Sequence, residues 1–506
     1  MIFIPIEKIS TKTEKEFFIE KVELYIRLVE VFCEKNGISF PLSDYTYENE
    51  NLLCALTEIG VIATQDGLLS LKRALGEVYP KFINAVLFVK NNEQAVNPIF
   101  DKLSNKKRKE LQKDFSNRPL KLVDFFCGAG GLSLGFIQEG YNVVLANDIE
   151  DVCIETYRYN HPELPSDKLI QGDIKEIVDH IEDYVNSDVD IVVGGPPCQG
   201  FSEANRQRVI DDPRNKLYKY FLMAVEKIGP KIVVMENVKG MLKVANQVVE
   251  DYEKIVVTKA NKKYTYKVHY ELLNSQDFSV AQSRERLIYI AVRDDVISEK
   301  NITPQVIFEQ IRKSTQGKKV YTLNDALQDI KPLDAPRVRN CNEIDSETTG
   351  KKVDVNHYDY SKNPYLQLIN CGRDIPFVFN HKARYCSDVN YEIYRRLDQG
   401  DDATNDKIKD IMPYAHRNHC FKDKYFKLYA DRPCRTITAH LRMDCHSHIH
   451  PFQVRSLTPR EAARVQSFPD DYLFLGAYLK TYMQIGNAVP PMMARGIARI
   501  IKQYLV

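Results

Sequence analysis

The stretch KLVDFFCGAGGLSLGFIQEGYNVVLAND, residues 121–148, decides the fold. A short apolar run leads through a glycine-rich turn into helical apolar spacing, and a second apolar run then ends in an acid, which reads as one strand-helix-strand unit. The glycines let the backbone approach a ligand closely, and the helix start offers free N–H groups. Cys127-Gly128-Ala129-Gly130-Gly131 is not a strict G-x-G-x-x-G, so alone it is weak evidence for an adenosyl-containing ligand.

The same texture continues downstream in VDIVVGG, KIVVMEN and RLIYIAV, each separated by helical patterns. This alternation predicts an α/β fold with a doubly wound, mostly parallel sheet. Ligands in such sheets bind beyond the carboxyl ends of the strands, so the polar residues there carry the reading. Asp148 follows Gly131 by 17 positions, near the spacing of an acid that accepts from ribose hydroxyls. Asp173, in LIQGDI, either accepts from an adenine amino group or caps a helix. In DIVVGGPPCQGFS, two glycines and two prolines stiffen the turn that presents Cys198 beyond a buried strand. KIVVMENV ends with Glu236 and Asn237, where partial desolvation suits an acid to proton donation. Arg284 and Arg286, in AQSRERLIYIAV, lie two apart at a strand start and so point the same way, either into salt bridges or toward a carbonyl or phosphate.

Around this core the chain changes character. Residues 11–36 carry helical apolar spacing that stops before Gly37, and residues 50–79 read as two short helices around a turn, more often scaffolding than a DNA-binding helix-turn-helix. The charge-rich SNKKRKELQKDFSNRP, residues 104–119, reads as a solvated helix end and linker. The region from about Lys313 loses the β/α rhythm and predicts an irregular second domain. Thr458-Pro459-Arg460-Glu461 sets a capping box, so a helix starts near Pro459. The domains are therefore expected at 1–118, 119–312, 313–452 and 453–506.

Composition narrows the class further. A chain of 506 residues with 44% hydrophobic and 27% charged residues can bury a sizeable core. No apolar run is long enough to span a bilayer and the N-terminal helix is acid-rich, which predicts a cytoplasmic protein without a membrane partner. Eleven cysteines without a C-x-x-C pair suggest neither a disulfide framework nor a zinc knuckle. His440, Cys445, His446, His448 and His450 cluster, but with no second ligand pair at zinc spacing no metal is expected. Cys127 and Cys153 sit in apolar settings that fit packing. A net charge of +1 excludes bulk coating of nucleic acid, so any DNA surface must be local.

Taken in order, VDFFCGAGGLSLGF, NDIEDVCIETYRYN, QGDI, GGPPCQGFS, MENVKGML, QSRER, SLTPREAARVQSFPDDY and QIGNAVPP resemble the motif series of the DNA cytosine C5-methyltransferases, notably the bacterial restriction-modification type. The resemblance spans residues 120–506 and leaves the N-terminal helical extension unexplained. It implies a Rossmann-like class I S-adenosylmethionine-dependent fold and the pocket residues Phe126, Gly128, Gly130, Gly131, Asp148, Ile149, Asp173, Ile174, Pro196, Asn487 and Ala488. The family usually has Glu at Asp148 and a large aromatic at Ile149, so ribose contact would be shorter and adenine stacking weaker here.

The resemblance also implies the chemistry. Cys198 would add to carbon 6 of a cytosine flipped out of double-stranded DNA, Glu236 would protonate or hydrogen-bond ring nitrogen 3, Arg286 with Arg284 would hold the 2-carbonyl, and Asn237 would hold the nucleophile loop. Carbon 5 then takes the methyl group, leaving S-adenosylhomocysteine, with no metal. Gln199, Ser202 and Arg206 would face DNA beside the displaced base, residues 313–452 would read the target, and RTITAH (435–440) would be that domain's last strand, with Thr436 against a phosphate. A companion restriction endonuclease and a monomer on DNA are expected partners in this scheme. An RNA cytosine methyltransferase, a catalytically silent DNA-binding relative and a nicotinamide-dependent dehydrogenase are the alternatives; the long middle domain and PCQG favour DNA, the full residue set favours an enzyme, and the dehydrogenase leaves most motifs unexplained.

Overall fold

The computed structural model describes residues 3–40, 50–92, 102, 105–185, 187–197, 216–339, 344–413 and 424–506. Each apolar run singled out above is a strand: β1 Lys121–Phe125, β2 Asn142–Asp148, β3 Leu169–Gln171, β4 Ile191–Gly194 and β5 Ile232–Val238. A small hairpin, β6 Val257–Lys259 and β7 Lys262–Tyr264, precedes two long strands, β8 Tyr266–Asn274 and β9 Glu285–Arg293. The seven-stranded sheet runs β3-β2-β1-β4-β5-β9-β8. β3, β2, β1, β4 and β5 pair in parallel, whereas β9 pairs antiparallel with both β5 and β8. RLIYIAV therefore runs against its neighbour, and β8 carries no comparable mark in the sequence because its alternating YKVHYELLN lacks the apolar continuity of the central strands.

Successive residues in each strand feed opposite apolar layers. Leu122, Val143, Ile191, Ile232 and Ile290 share one layer with Ile497 and Ile501 of the last helix, Pro491–Leu505. Val123, Leu145, Val192 and Val233 share the other with Phe221 and Val225 of the helix Lys216–Ile228. The last helix lies so close to the helix Gly131–Gln138 that a Cβ on Gly135 would stand 2.5 Å from the Ala494 Cβ. The chain thus returns to its first βα unit after the middle region.

That middle region contains an antiparallel pair, β10 Gly350–Val355 and β11 Phe377–Lys382, with the helices Pro364–Ile369 and Asp388–Arg396. RTITAH forms no strand. Gln282 and Cys434 make one parallel bridge, and the chain then passes into a 3-10 turn at Ala439–Arg442.

At the N-terminus the helix Lys12–Asn36 has a full capping box from Thr11 and Glu14 and ends on Gly37 at φ 64°. Glu50–Ile59 and Gly67–Leu75 follow, with an additional helix Tyr79–Asn91 whose Phe82 packs edge-on against Tyr25, 5.7 Å between ring centroids. The four pack into one apolar cluster that continues into the middle region. The charge-rich segment is a full helix, Asn105–Ser116, and is not simply solvated. Arg108 is 2% exposed, donating to the carbonyls of Lys102 and Arg158, and burial pulls its pKa down to about 10. No helix among the described residues is long and apolar enough to cross a membrane.

The helix Pro459–Val465 starts where the capping box predicts, and all seven of its residues are buried, charges included. Arg455 grips Glu461 with both terminal nitrogens at 2.7 and 2.6 Å. Arg464 grips Asp470 at 2.8 and 2.9 Å. Two buried histidines flank this cluster. His381 shares a hydrogen bond with Thr458 Oγ1 at 3.1 Å, and His450 Nε2 stands 3.7 Å from Glu461. Burial holds their pKa values down, to about 4 and about 3. An unfolded chain takes up these protons near pH 6.5 while the folded chain resists until far lower, so stability is lost as pH falls through that window. Chemical unfolding at pH 7, 6 and 5 should show a declining free energy in the wild type and a shallower decline in His450→Gln, the slopes differing by up to ~1.4 kcal/mol per pH unit. Equal slopes would exclude a buried neutral His450.

Candidate active site

The sheet order reverses between β1 and β4, and both strands end in a candidate loop. After β1, Phe126 adopts φ 58°, then Gly128 and Gly130 take φ 52° and 86°, a sequence of left-handed turns that glycine favours. No atom stands within 4 Å of where a Gly128 Cβ would point, whereas a Cβ on Gly130 would lie 2.6 Å from His161 Nε2 and one on Gly131 2.5 Å from the Val489 carbonyl. The loop is packed from behind and open in front, the shape a ligand needs to approach the backbone.

The support behind it was not legible from sequence. Ser133 donates to Asp124 at 2.5 Å, and Tyr157 donates to Ser133 at 2.8 Å. Asp124 is fully buried with one oxygen lacking a hydrogen-bond partner among the described residues, and burial lifts its pKa to about 7. Tyr472 donates to the Ala129 carbonyl and shares a 2.8 Å hydrogen bond with His161, whose other nitrogen meets Glu163 at 2.9 Å. Tyr472 belongs to a quoted motif, but nothing local marks His161 as its partner.

At the end of β2, Asp148 Oδ2 accepts from the Gly128 amide at 2.8 Å and Oδ1 from that of Glu150 at 2.9 Å. A carboxylate accepts about four hydrogen bonds, so acceptor capacity remains for a ribose hydroxyl. Burial raises this carboxyl's pKa. Ile149 beside it is 65% exposed, a large apolar side chain presented to solvent at the pocket. Across the glycine loop, Asn487 is exposed, and the Ala488 Cβ would lie 3.2 Å from a Cβ on Gly131. The open loop, the acid with spare acceptors and the exposed apolar cover fit an adenosyl group. Asp173 caps the helix Ile174–Asp179 by accepting from the Lys175 amide at 2.9 Å, and Ile174 is buried at 2% exposure in the apolar layer, so the second of these faces the core.

Beyond β4 the turn carries Gly195 and Pro196, and the Asn237 side-chain amide donates to the Pro196 carbonyl at 3.0 Å. A Cβ on Gly195 would lie 3.0 Å from Glu236 Oε2. Glu236 faces this turn from β5, and Arg286 Nε meets its Oε1 at 2.8 Å from β9, with side chains only 12% and 14% exposed. Cys198, Gln199, Ser202 and Arg206 lie outside the described residues.

The two arginines differ, and this corrects their expected common role. Arg284 precedes the strand and is 2% exposed, giving its terminal nitrogens to the carbonyls of Ile437 at 2.6 Å and Gly486 at 3.0 Å. Gln282 adds a chain of amide bonds, accepting from Ile437 N at 2.7 Å and donating to Gln466 at 2.7 Å. Thr436 spends its hydroxyl on the Ser283 carbonyl at 3.0 Å. Only Arg286 faces Glu236.

The histidine and cysteine cluster is spread among separate partners. His446 stacks on Tyr425 at 4.5 Å and binds Tyr394, while Cys445 donates to the Leu441 carbonyl at 3.3 Å. Among the described residues no group of three His, Cys, Asp or Glu could hold a metal ion. Burial pushes the thiols of Cys127 and Cys153 well above the usual range.

The family described as C-5 cytosine-specific DNA methylase matches residues 120–503. The Type II methyltransferase M.DdeI of Desulfomicrobium norvegicum is 31% identical over 404 residues, covering 76% of this chain and 89% of that protein. The Type II methyltransferase M.AgeI of Thalassovita gelatinovora is 29% identical over 433 residues, covering 76% and 99%. A crystal structure described as a prophage-encoded DNA modification methyltransferase of E. coli shares the fold, with a TM-score of 0.57 at 24% identity over 76% of this chain and 99% of its own.

Gly130→Ala should lose about 1–3 kcal/mol of stability, because it places a Cβ against His161 at positive φ. Thermal unfolding reads it directly, and an unchanged midpoint would show that the loop can re-pack.

Proposed function

The chain belongs to the C-5 cytosine-specific DNA methylase family and is a DNA (cytosine-5)-methyltransferase, and we propose that it methylates a cytosine extruded from a specific double-stranded DNA sequence through a covalent bond to Cys198. The observation that carries this reading is the ion pair of Glu236 with Arg286, set against the turn whose Pro196 carbonyl Asn237 holds, two residues before Cys198.

Carbon 5 of cytosine is a poor nucleophile in the aromatic ring, so the ring must first be activated. The Cys198 thiolate adds to carbon 6 while Glu236 gives a proton or strong hydrogen bond to ring nitrogen 3, and the electron pair of the 5,6 bond moves to carbon 5. Arg286 holds the 2-carbonyl and keeps the Glu236 carboxyl in place, with Arg284 fixing the strip behind it. Asn237 fixes the turn that aims the sulfur. Phe126, Gly128, Gly130, Gly131, Asp148, Ile149 and Asn487 would hold S-adenosylmethionine, which would supply an electrophilic methyl group. Release of the carbon 5 proton to solvent, return of the ring nitrogen 3 proton to Glu236 and expulsion of the Cys198 thiolate restore the ring.

These atoms are stacked in a duplex, so the base must leave the helix, at a cost of a few kcal/mol. Gln199, Ser202 and Arg206 follow the nucleophile in sequence and Thr436 lies on the strip tied to Arg284, which supports their facing the DNA. The Type II methyltransferases among the relatives support a role in restriction-modification; a companion endonuclease, a monomeric state on DNA and a bacterial cytoplasmic location belong to the same proposal.

Expression in a methylation-free host followed by bisulfite sequencing should reveal 5-methylcytosine at one recurrent sequence; uniformly convertible DNA would refute the activity. Cys198→Ala should abolish labelled-methyl transfer, and Glu236→Gln should slow it about 10²–10⁴-fold. Full turnover in Cys198→Ala would end the covalent scheme.

A further inference from the structure

The proposed methyl-donor pocket has two walls distant in sequence. One is the helix Asp151–Asn160, which follows directly on Asp148 and Ile149. The other is the helix Tyr478–Asn487, which ends beside Ala488 over the glycine loop. At the mouth a half-exposed ion pair links them, Lys480 to Glu150 at 3.1 Å. Such surface pairs constrain geometry weakly.

At the base the contact is of another kind. Val152 and Cys153 of the first wall pack with Met483 of the second, and Phe17 from the N-terminal helix Lys12–Asn36 packs onto that cluster together with Ala439. A Cβ on Gly476, at the start of the second wall, would lie 2.3 Å from Val152 Cγ2 and 3.9 Å from Phe17 Cε1. Glu20 accepts from the Gly476 amide at 2.9 and 3.1 Å and also meets Lys352 of β10. Lys21 pairs with Glu155 of the first wall at 2.5 Å, with side chains 5% and 10% exposed. Two consecutive residues of one helix therefore grip opposite walls, and a third packs onto the cluster where those walls meet. That helix lies outside residues 120–503 that define the family.

We propose that the N-terminal helix fixes the separation of the two pocket walls, with Phe17, Glu20 and Lys21 acting as positioning residues for methyl-donor binding. A buried ion pair tolerates little displacement because either partner left alone is an uncompensated charge. Errors of about 1 Å in a supporting element can cost about 10²-fold in function. The inference rests on the reading that the donor lies between Asp148 and the glycine loop.

The test uses the full chain. S-adenosylhomocysteine is titrated calorimetrically into wild type, Phe17→Ala, the paired replacement Lys21→Met with Glu155→Met, and Asp148→Asn. Binding of sheared duplex DNA from a methylation-free strain and the thermal midpoint are measured alongside. Phe17→Ala should bind S-adenosylhomocysteine at least tenfold more weakly while DNA affinity stays within twofold. Unchanged S-adenosylhomocysteine affinity overturns the proposal, as does an equal loss of both affinities with a lowered midpoint, which marks general destabilisation. If Phe17→Ala does not fold, the paired replacement, which leaves no buried charge, is read by the same criteria. Asp148→Asn tests the premise separately: wild-type affinity in that variant would refute the pocket's location and with it the premise of the brace, whereas weakened binding there with unchanged affinity in Phe17→Ala would overturn the brace alone.

Discussion

Charge buried out of reach of bulk solvent is the constraint on which this structure depends. The helix Pro459–Val465 carries Arg460, Glu461 and Arg464 entirely inside the protein. Each ion costs several kcal/mol to desolvate, and that is offset only if its partners arrive in good geometry. Those partners come from separate segments: Arg455 and Asp470 nearby, the Phe379 carbonyl of β11 for Arg460, and the Gln328 carbonyl and Tyr360 hydroxyl for Arg464. The middle region and the returning chain must therefore dock in one arrangement or leave a charge stranded. Apolar layers alone would tolerate sliding; this lattice does not.

With that docking fixed, the active-site groups fall where the sheet reverses. The β1 and β4 loops are neighbours because their strands pair, and β9 reaches the same end by running antiparallel to β5. The antiparallel direction matters chemically. It brings the start of β9, with Arg286, beside the end of β5, with Glu236, so an acid and a base meet without any loop having to carry either. A parallel strand in that position would offer its carboxyl end instead.

What could be read in the sequence was what is local. Thr11 with Glu14 and Thr458 with Glu461 signal their helices within four residues, and the strand runs and glycine turn are equally self-contained. Partners distant in sequence left no such mark. Arg108 sits in a lysine-rich run that looks solvated, yet it is buried against the Arg158 carbonyl. Asp173 could be read two ways, and the helix cap is one use that the geometry realises. RTITAH has the composition of a strand, but its backbone is held by Gln282 and Arg284, whose side chains replace the ladder a neighbouring strand would supply.

The QSRER motif shows how such replacement divides labour. Gln282 and Arg284 look like site residues because they are polar, close together and near the chemistry. Both are spent on backbone groups of the 437 strip and the 486 helix end, at distances of 2.6 to 3.0 Å. Arg286, two residues further, gives one terminal nitrogen to the adjacent Glu285 carbonyl at 2.7 Å and turns its Nε to Glu236. Polar residues around a reaction centre therefore serve two ends. A few point at the substrate, and more hold in register the distant segments that bring those few together, a purpose that only the folded chain makes visible.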